Sequence, residues 1–148
     1  MPMVRAYVMP SFNEMFTGAP ATPIRLLQFA CEEIIPAGLN SAQGPLTPGS
    51  IEFIPTTVVD GLGIRVVIDV EAYSYDDRTA DIEERAERIK QALSMMFPHC
   101  KFAVFLKLVV AGWSSDTEDP EFDGDMSIDA AMARYASRVI GYSLFDQS

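Results

Sequence analysis

Apolar and polar positions alternate from the start of the chain. Val4, Ala6 and Val8 share one face of "MPMVRAYV" and Met3, Arg5 and Tyr7 the other, which predicts a short strand. A loop with Pro10, Gly18 and Pro20 follows. Thr22 then caps a helix with Pro23 at its first position, and Ile24, Leu27, Cys31 and Ile34 recur at helical spacing until Pro36 and Gly38 stop it. "NSAQGPLTPGS" is loop by every local signal. "IEFIP" and "TTVV" read as one strand, bent or bulged at Pro55. After the turn "DGLG", the stretch "IRVVIDVEAY" alternates, with Ile64, Val66, Ile68, Val70 and Ala72 against Arg65, Val67, Asp69, Glu71 and Tyr73. "SYDDRT" leads into the clearest helix, whose Ile82, Ala86, Ile89, Leu93 and Met96 form one stripe that ends at Pro98. "KFAVFLKLVV" is apolar on both faces and predicts a central strand. An acidic loop and a last helix, Ile128 to Ile140, complete the chain.

The order is strand, helix, strand, twice over. This predicts an α/β (α+β) fold of two consecutive β-α-β units, each with parallel strands, in a four-stranded mixed sheet. Two helices cover one face, and a C-terminal helical extension follows. The boundaries fall at residues 2–60, 61–115 and 116–148 of one domain. The second sheet face carries Val67, Phe105 and Val109, so a symmetric oligomer or the C-terminal helix should cover it.

Composition narrows the function classes. With 148 residues, 49% of them hydrophobic and 22% charged, the chain can bury a single core. A formal net charge of −10 argues against nucleic acid and against an anionic membrane surface. The first apolar stretch, Val4 to Val8, is short and interrupted by Arg5, so no signal peptide is expected, and no apolar run reaches the roughly 18 residues that span a membrane. Cys31 and Cys100 stand alone in apolar surroundings, which fits a reducing cytoplasm.

Pro2 follows the initiator methionine and heads the first strand. It either starts an edge strand, where a missing N–H costs nothing, or presents a free secondary amine once Met1 is removed. Together with the two β-α-β units, "MPMVRAYV", "IDVEAYSYDDRTADIEERAERIKQAL" and "FAVFLKLVVAGW" resemble the tautomerase superfamily, in the layout of macrophage migration inhibitory factor and the carboxymethyl-hydroxymuconate isomerases. The resemblance covers residues 2–8 and about 50–115. It implies a homotrimer and a cofactor-independent, metal-free tautomerase or isomerase acting on a small carboxylated enol or keto compound. Pro2 would be its general base or acid. An α-amine titrates at about pH 8 in a free peptide and lower when desolvated, close to neutrality where proton transfer is most effective. Arg78 matches the position after the strand and would clamp the substrate carboxylate through its planar fork. Trp113 would supply an apolar wall. The chain departs from the isomerases around "GSIEFIP", which lacks their arginines, and a retained Met1 would turn Pro2 into an amide.

Each candidate also has a plain structural reading. Arg78 can pair with Asp76, Asp77 or Asp81 at a helix entry. Arg5 and Tyr7 line a pocket, where Tyr7 is an alternative to Lys107 as the polarising group, or face water. Lys107, the only charge between Phe102 and Val110, polarises a substrate as a third catalytic group, pairs within the sheet, or snorkels to its edge. Asp69 and Glu71 form an acid pair or a solvated face, and Trp113 is otherwise a core or interface anchor. "DPEFDGDMSIDA" places Asp119, Glu121, Asp123 and Gly124 at calcium-loop spacing, but Ala130 stands where the bidentate glutamate belongs, so it is an acidic loop capped by Ser127. His99 has no second histidine for a metal or triad, and the cysteines read as inert core thiols. A non-catalytic, ring-forming assembly protein on the same fold is the alternative function. A dehalogenase or decarboxylase is a third reading within the enzymes.

Overall fold

The computed structural model describes residues 2–9, 12, 22–58, 65–110 and 122–146. Pro10, Gly18, Pro20, the turn 60–63, Ile64, Trp113, Asp119 and Glu121 lie outside the described residues. The elements are β1 (Met3–Val8), α1 (Pro23–Leu39), β2 (Glu52–Thr57), β3 (Arg65–Tyr73), α2 (Asp76–Ala80), α3 (Ile82–Met96), β4 (Lys101–Val109) and α4 (Ile128–Asp146). They build one four-stranded mixed sheet in the order β2-β1-β3-β4. Each β-α-β unit has the expected parallel pair, β1 with β2 and β3 with β4, and β1 runs antiparallel to β3 where the units join.

The alternation in the sequence decides the two faces. Val4, Ala6, Val8, Val66, Ile68 and Val70 are at most 1% exposed and meet Leu27, Ile34, Ile35, Ile89 and Leu93 of α1 and α3. Full burial of side chains of this size is worth ~1.5–3 kcal/mol each, so this layer is the main stabilising element of the fold. Their in-between neighbours Arg5, Tyr7, Val67, Asp69, Phe105 and Lys107 form the second, open face.

Four expectations need correction. First, β1 is interior rather than an edge, so Pro2 heads a central strand. Second, β4 is an edge strand among the described residues. It is apolar on both sides because one side packs on helices and the other belongs to the open face, where Phe105 is 58% exposed. Third, α4 packs on α1 and α3, not on the open face. It is held by Arg134 and Arg138, whose guanidinium groups reach the carboxylates of Glu33 and Glu32. Fourth, α1 does not stop at Pro36 but runs to Leu39. Proline has no N–H for the carbonyl one turn back, that of Glu32. The Gly49 N–H supplies the missing bond at 2.9 Å. Gly49 holds φ at +81°, a backbone state that favours glycine.

β2 passes through Pro55 with no bulge, because its register against β1 is unbroken from Glu52 to Thr57. Glu52 and Val58 donate their N–H groups to Pro2 and Val8. The even positions of β2 therefore point their donors inward, and Pro55 takes an outward position where no ladder bond is lost. "SYDDRT" holds the short helix α2. α4 begins as expected at Ile128, with the Ser127 hydroxyl accepting from the Ala130 N–H at 3.2 Å, and it extends past Ile140 to Asp146.

Candidate functional site

Pro2 sits where five pieces of chain converge. It is buried, continuing the alternation of Val4 and Ala6, and its carbonyl accepts the Glu52 N–H at 2.9 Å. The register that pairs Met3 with Glu71 carries it on toward Ala72. The C-terminal end of α1, the loop 40–50, the start of β2, the end of β3 and α2 all lie at this end of the sheet.

Two arginines organise it. Arg78 is 2% exposed. Its Nε donates to the Leu39 carbonyl at 2.6 Å, Nη1 to Tyr73 at 3.0 Å and Nη2 to Gly44 at 2.9 Å. The guanidinium also lies 4.8 Å from the centre of the Tyr75 ring. No carboxylate among the described residues forms an ion pair with it. Burial pulls its pKa below the ordinary arginine value. Arg78 is thus neither a surface partner of Asp76, Asp77 or Asp81 nor, in this arrangement, an open fork for a carboxylate, because three of its donors already end on main-chain carbonyls. Arg85 acts similarly: Nη1 donates to Gly38 and Asn40, each at 3.0 Å, and Nε pairs with Asp81 at 2.6 Å.

The loop is also tied through its side chains. The Ser41 hydroxyl donates to Asp77 at 2.8 Å and accepts from the N–H groups of Gln43 and Gly44. That hydrogen bond holds the Asp77 carboxyl below its usual range. Gln43 accepts from the Asp76 N–H, and Asn40 from the Leu46 N–H. Gly44 lies so close to the Tyr75 ring that any Cβ there would run into it.

The other sequence candidates gather on the open sheet face. Lys107 reaches Asp69 at 3.5 Å and Arg5 reaches Glu71 at 4.0 Å, two diagonal ion pairs across three strands. Tyr7 lies on the same face, opposite Val67. The Asp69 Oδ1 is buried and accepts no hydrogen bond from the described residues. The sheet separates this cluster from the side on which Pro2 is buried, so a single chain does not join Pro2 with Arg5, Tyr7 and Lys107. Cys31 and Cys100 are buried thiols whose pKa values are raised by desolvation, as inert core cysteines require. A groove of about 570 Å³ lies between α3 and β4, lined by Glu83, Glu87, Lys90, Lys101 and Val104, away from Pro2. The described residues hold no group of three metal-ligating side chains and no helix long and apolar enough to cross a membrane.

No protein-family model matches the sequence, and no curated protein matches it. Solved structures similar in fold include two. One is a 5-carboxymethyl-2-hydroxymuconate delta-isomerase, with a TM-score of 0.45 and 10% identity over 81% of this chain and 89% of that one. The other is described as a probable enzyme from the thermophilic fungus Aspergillus fumigatus, with a TM-score of 0.44 and 15% identity over 91% of this chain and 94% of that one. Overlaps of this size leave the functional argument to the chain's own residues.

Ser41, Tyr75 and Arg85 escaped the sequence reading, and Asp77 entered it only as a partner for Arg78. Ser41 meets Asp77 from 36 positions away, and Arg85 meets Asn40 from 45. No local pattern announces such pairs. The one usable signal was two arginines in and after an acid-rich helix start, opposite a loop rich in carbonyl-exposing Gly and Pro.

Proposed function

We propose that this chain is a cofactor-independent tautomerase or isomerase that uses Pro2 as its proton shuttle on a small enol or keto carboxylate. The observation that carries the reading is the seat of Pro2, buried at the head of a central strand with its carbonyl fixed by Glu52. Burial disfavours the ammonium form, so a free amine there would titrate below its ordinary value and exchange protons near neutrality. The reading includes self-association, as a homotrimer by resemblance, because nothing among the described residues covers the open face. Arg5, Tyr7 and Lys107 then serve that face rather than the Pro2 side of the same chain.

The test begins with the intact mass of the untagged protein. Loss of Met1 is expected, followed by catalysed ketonisation of small 2-keto acid enols. Pro2→Ala should lower that turnover by about 10²–10⁴-fold with the assembly unchanged. Turnover that survives Pro2→Ala refutes the role of Pro2. A second reading, a non-catalytic assembly protein, is favoured by the open face itself, where exposed Phe105 adjoins a balanced set of two cations and two carboxylates. A retained Met1 selects it.

A further inference from the structure

Arg78 occupies the place where a substrate-binding arginine was expected, yet its contacts describe another task. It stands on α2 and bonds the last residue of α1, the last residue of β3 and the middle of the loop 40–50. Those three carbonyls belong to the segments that frame Pro2. Tyr73 is the next residue after Ala72, beside which Pro2 runs. Gly44 lies in the loop that delivers Ile51 and Glu52, and the Glu52 N–H fixes the Pro2 carbonyl. Lysine could not reproduce this, since one ammonium on a flexible stem lacks the fixed fork that bonds three divergent carbonyls.

We propose that Arg78 is a positioning residue: it locks the end of α1, the end of β3 and the loop 40–50 into one frame, and this frame sets where Pro2 stands. Asp77 assists from the same helix by accepting the Ser41 hydroxyl, which in turn holds the Gln43 and Gly44 N–H groups. The inference rests on the proposed function only for its consequence in catalysis. The frame itself is a property of the folded chain.

The two parts are separated by measuring both. Amide hydrogen exchange on the full-length chain reads the frame, through the N–H groups of Gly44, Leu46 and Glu52, with that of Phe97, bonded to Leu93, as a distant reference. Arg78→Lys should speed exchange at the first three at least tenfold and leave Phe97 unchanged. Kinetics read the consequence, using the enols of phenylpyruvate, which has a carboxylate, and of phenylacetaldehyde, which has none. For a positioning residue, kcat falls by a similar factor for both probes while KM holds. A direct clamp would raise KM for phenylpyruvate alone, and that result overturns the proposal, as does unchanged exchange at Glu52. If Arg78→Lys fails to fold, the wild-type guanidinium is read directly: its Nε–H, bonded to the Leu39 carbonyl, should exchange in step with the Glu52 N–H, and fast exchange there overturns the proposal. A wild-type chain without turnover refutes the proposed function, and the exchange result still decides the frame.

Discussion

Glu33 offers the sharpest test of how α4 is attached. Its side chain is 5% exposed and faces α4 from α1, accepting from Arg134 Nε at 2.8 Å and from Arg138 Nη1 at 3.2 Å. Hydrogen bonds to charged groups contribute ~1.5–3 kcal/mol each. Removing one partner also leaves the other charge uncompensated, at a cost of about 3–5 kcal/mol when the site is fully buried. Here the arginines are 24% and 35% exposed, so water recovers part of the loss. The stronger helix preference of alanine returns a few tenths of a kcal/mol. Glu33→Ala should therefore destabilise by about 3 kcal/mol, which for a chain of this size lowers Tm by roughly 6–12 °C. Glu87→Gln is the reference, because its pair with Lys90 is 40–52% exposed and should matter by less than about 0.5 kcal/mol. Urea unfolding and calorimetry on the three proteins give both numbers. A Glu33→Ala chain within about 1 kcal/mol of wild type would refute the view that this buried carboxylate anchors the C-terminal helix.

Three more outcomes follow from the same structure. Gly38→Ala should destabilise by about 1–3 kcal/mol despite alanine's better helix preference, since its Cβ would stand 2.5 Å from Ile89 Cγ1 where α1 crosses α3; trimming Ile89 to Val in that background should recover part of the loss in urea melts. Asp77 has a folded pKa below its unfolded value of 3.8, so its contribution is present above that pH and is lost as the pH falls through the lower folded value. Asp77→Asn should accordingly flatten stability against pH on the acid side, and an unchanged acid limb would contradict the Ser41 bond. Cys31, fully enclosed and with its thiol pushed up by burial, should resist thiol reagents at about pH 8 in the native chain and react only in denaturant.

The fold was legible wherever a periodicity ran long enough to choose a face. The strands β1 and β3 and the stripe of α3 follow from residue spacing alone, as does the pairing inside each β-α-β unit. What failed depended on neighbours. Nothing in "KFAVFLKLVV" distinguishes a central strand from an edge strand with two apolar sides. Pro36 reads as a stop until Gly49 supplies a bond from 13 residues away. The candidate residues sorted less well, because their roles were assigned by residue type. Arg78 carries the right chemistry for a carboxylate and spends it on three carbonyls. Arg5, Tyr7 and Lys107 share a face, as their strand parity requires, but it is not the face of Pro2.

Pro55 has a consequence for polymerisation. Fibres built by adding strand to strand need two competent edges on every molecule, and β2 lacks a donor at the middle of its outward side, as the register and the bonds from Glu52 and Val58 require. A copy that meets another through β4 has then used the one full edge among the described strands. Such contacts end in closed pairs of molecules rather than open-ended threads, while association through the broad sheet surface proceeds untouched by this limit. One imino acid at the edge of the described sheet thus opposes strand-by-strand growth from that side.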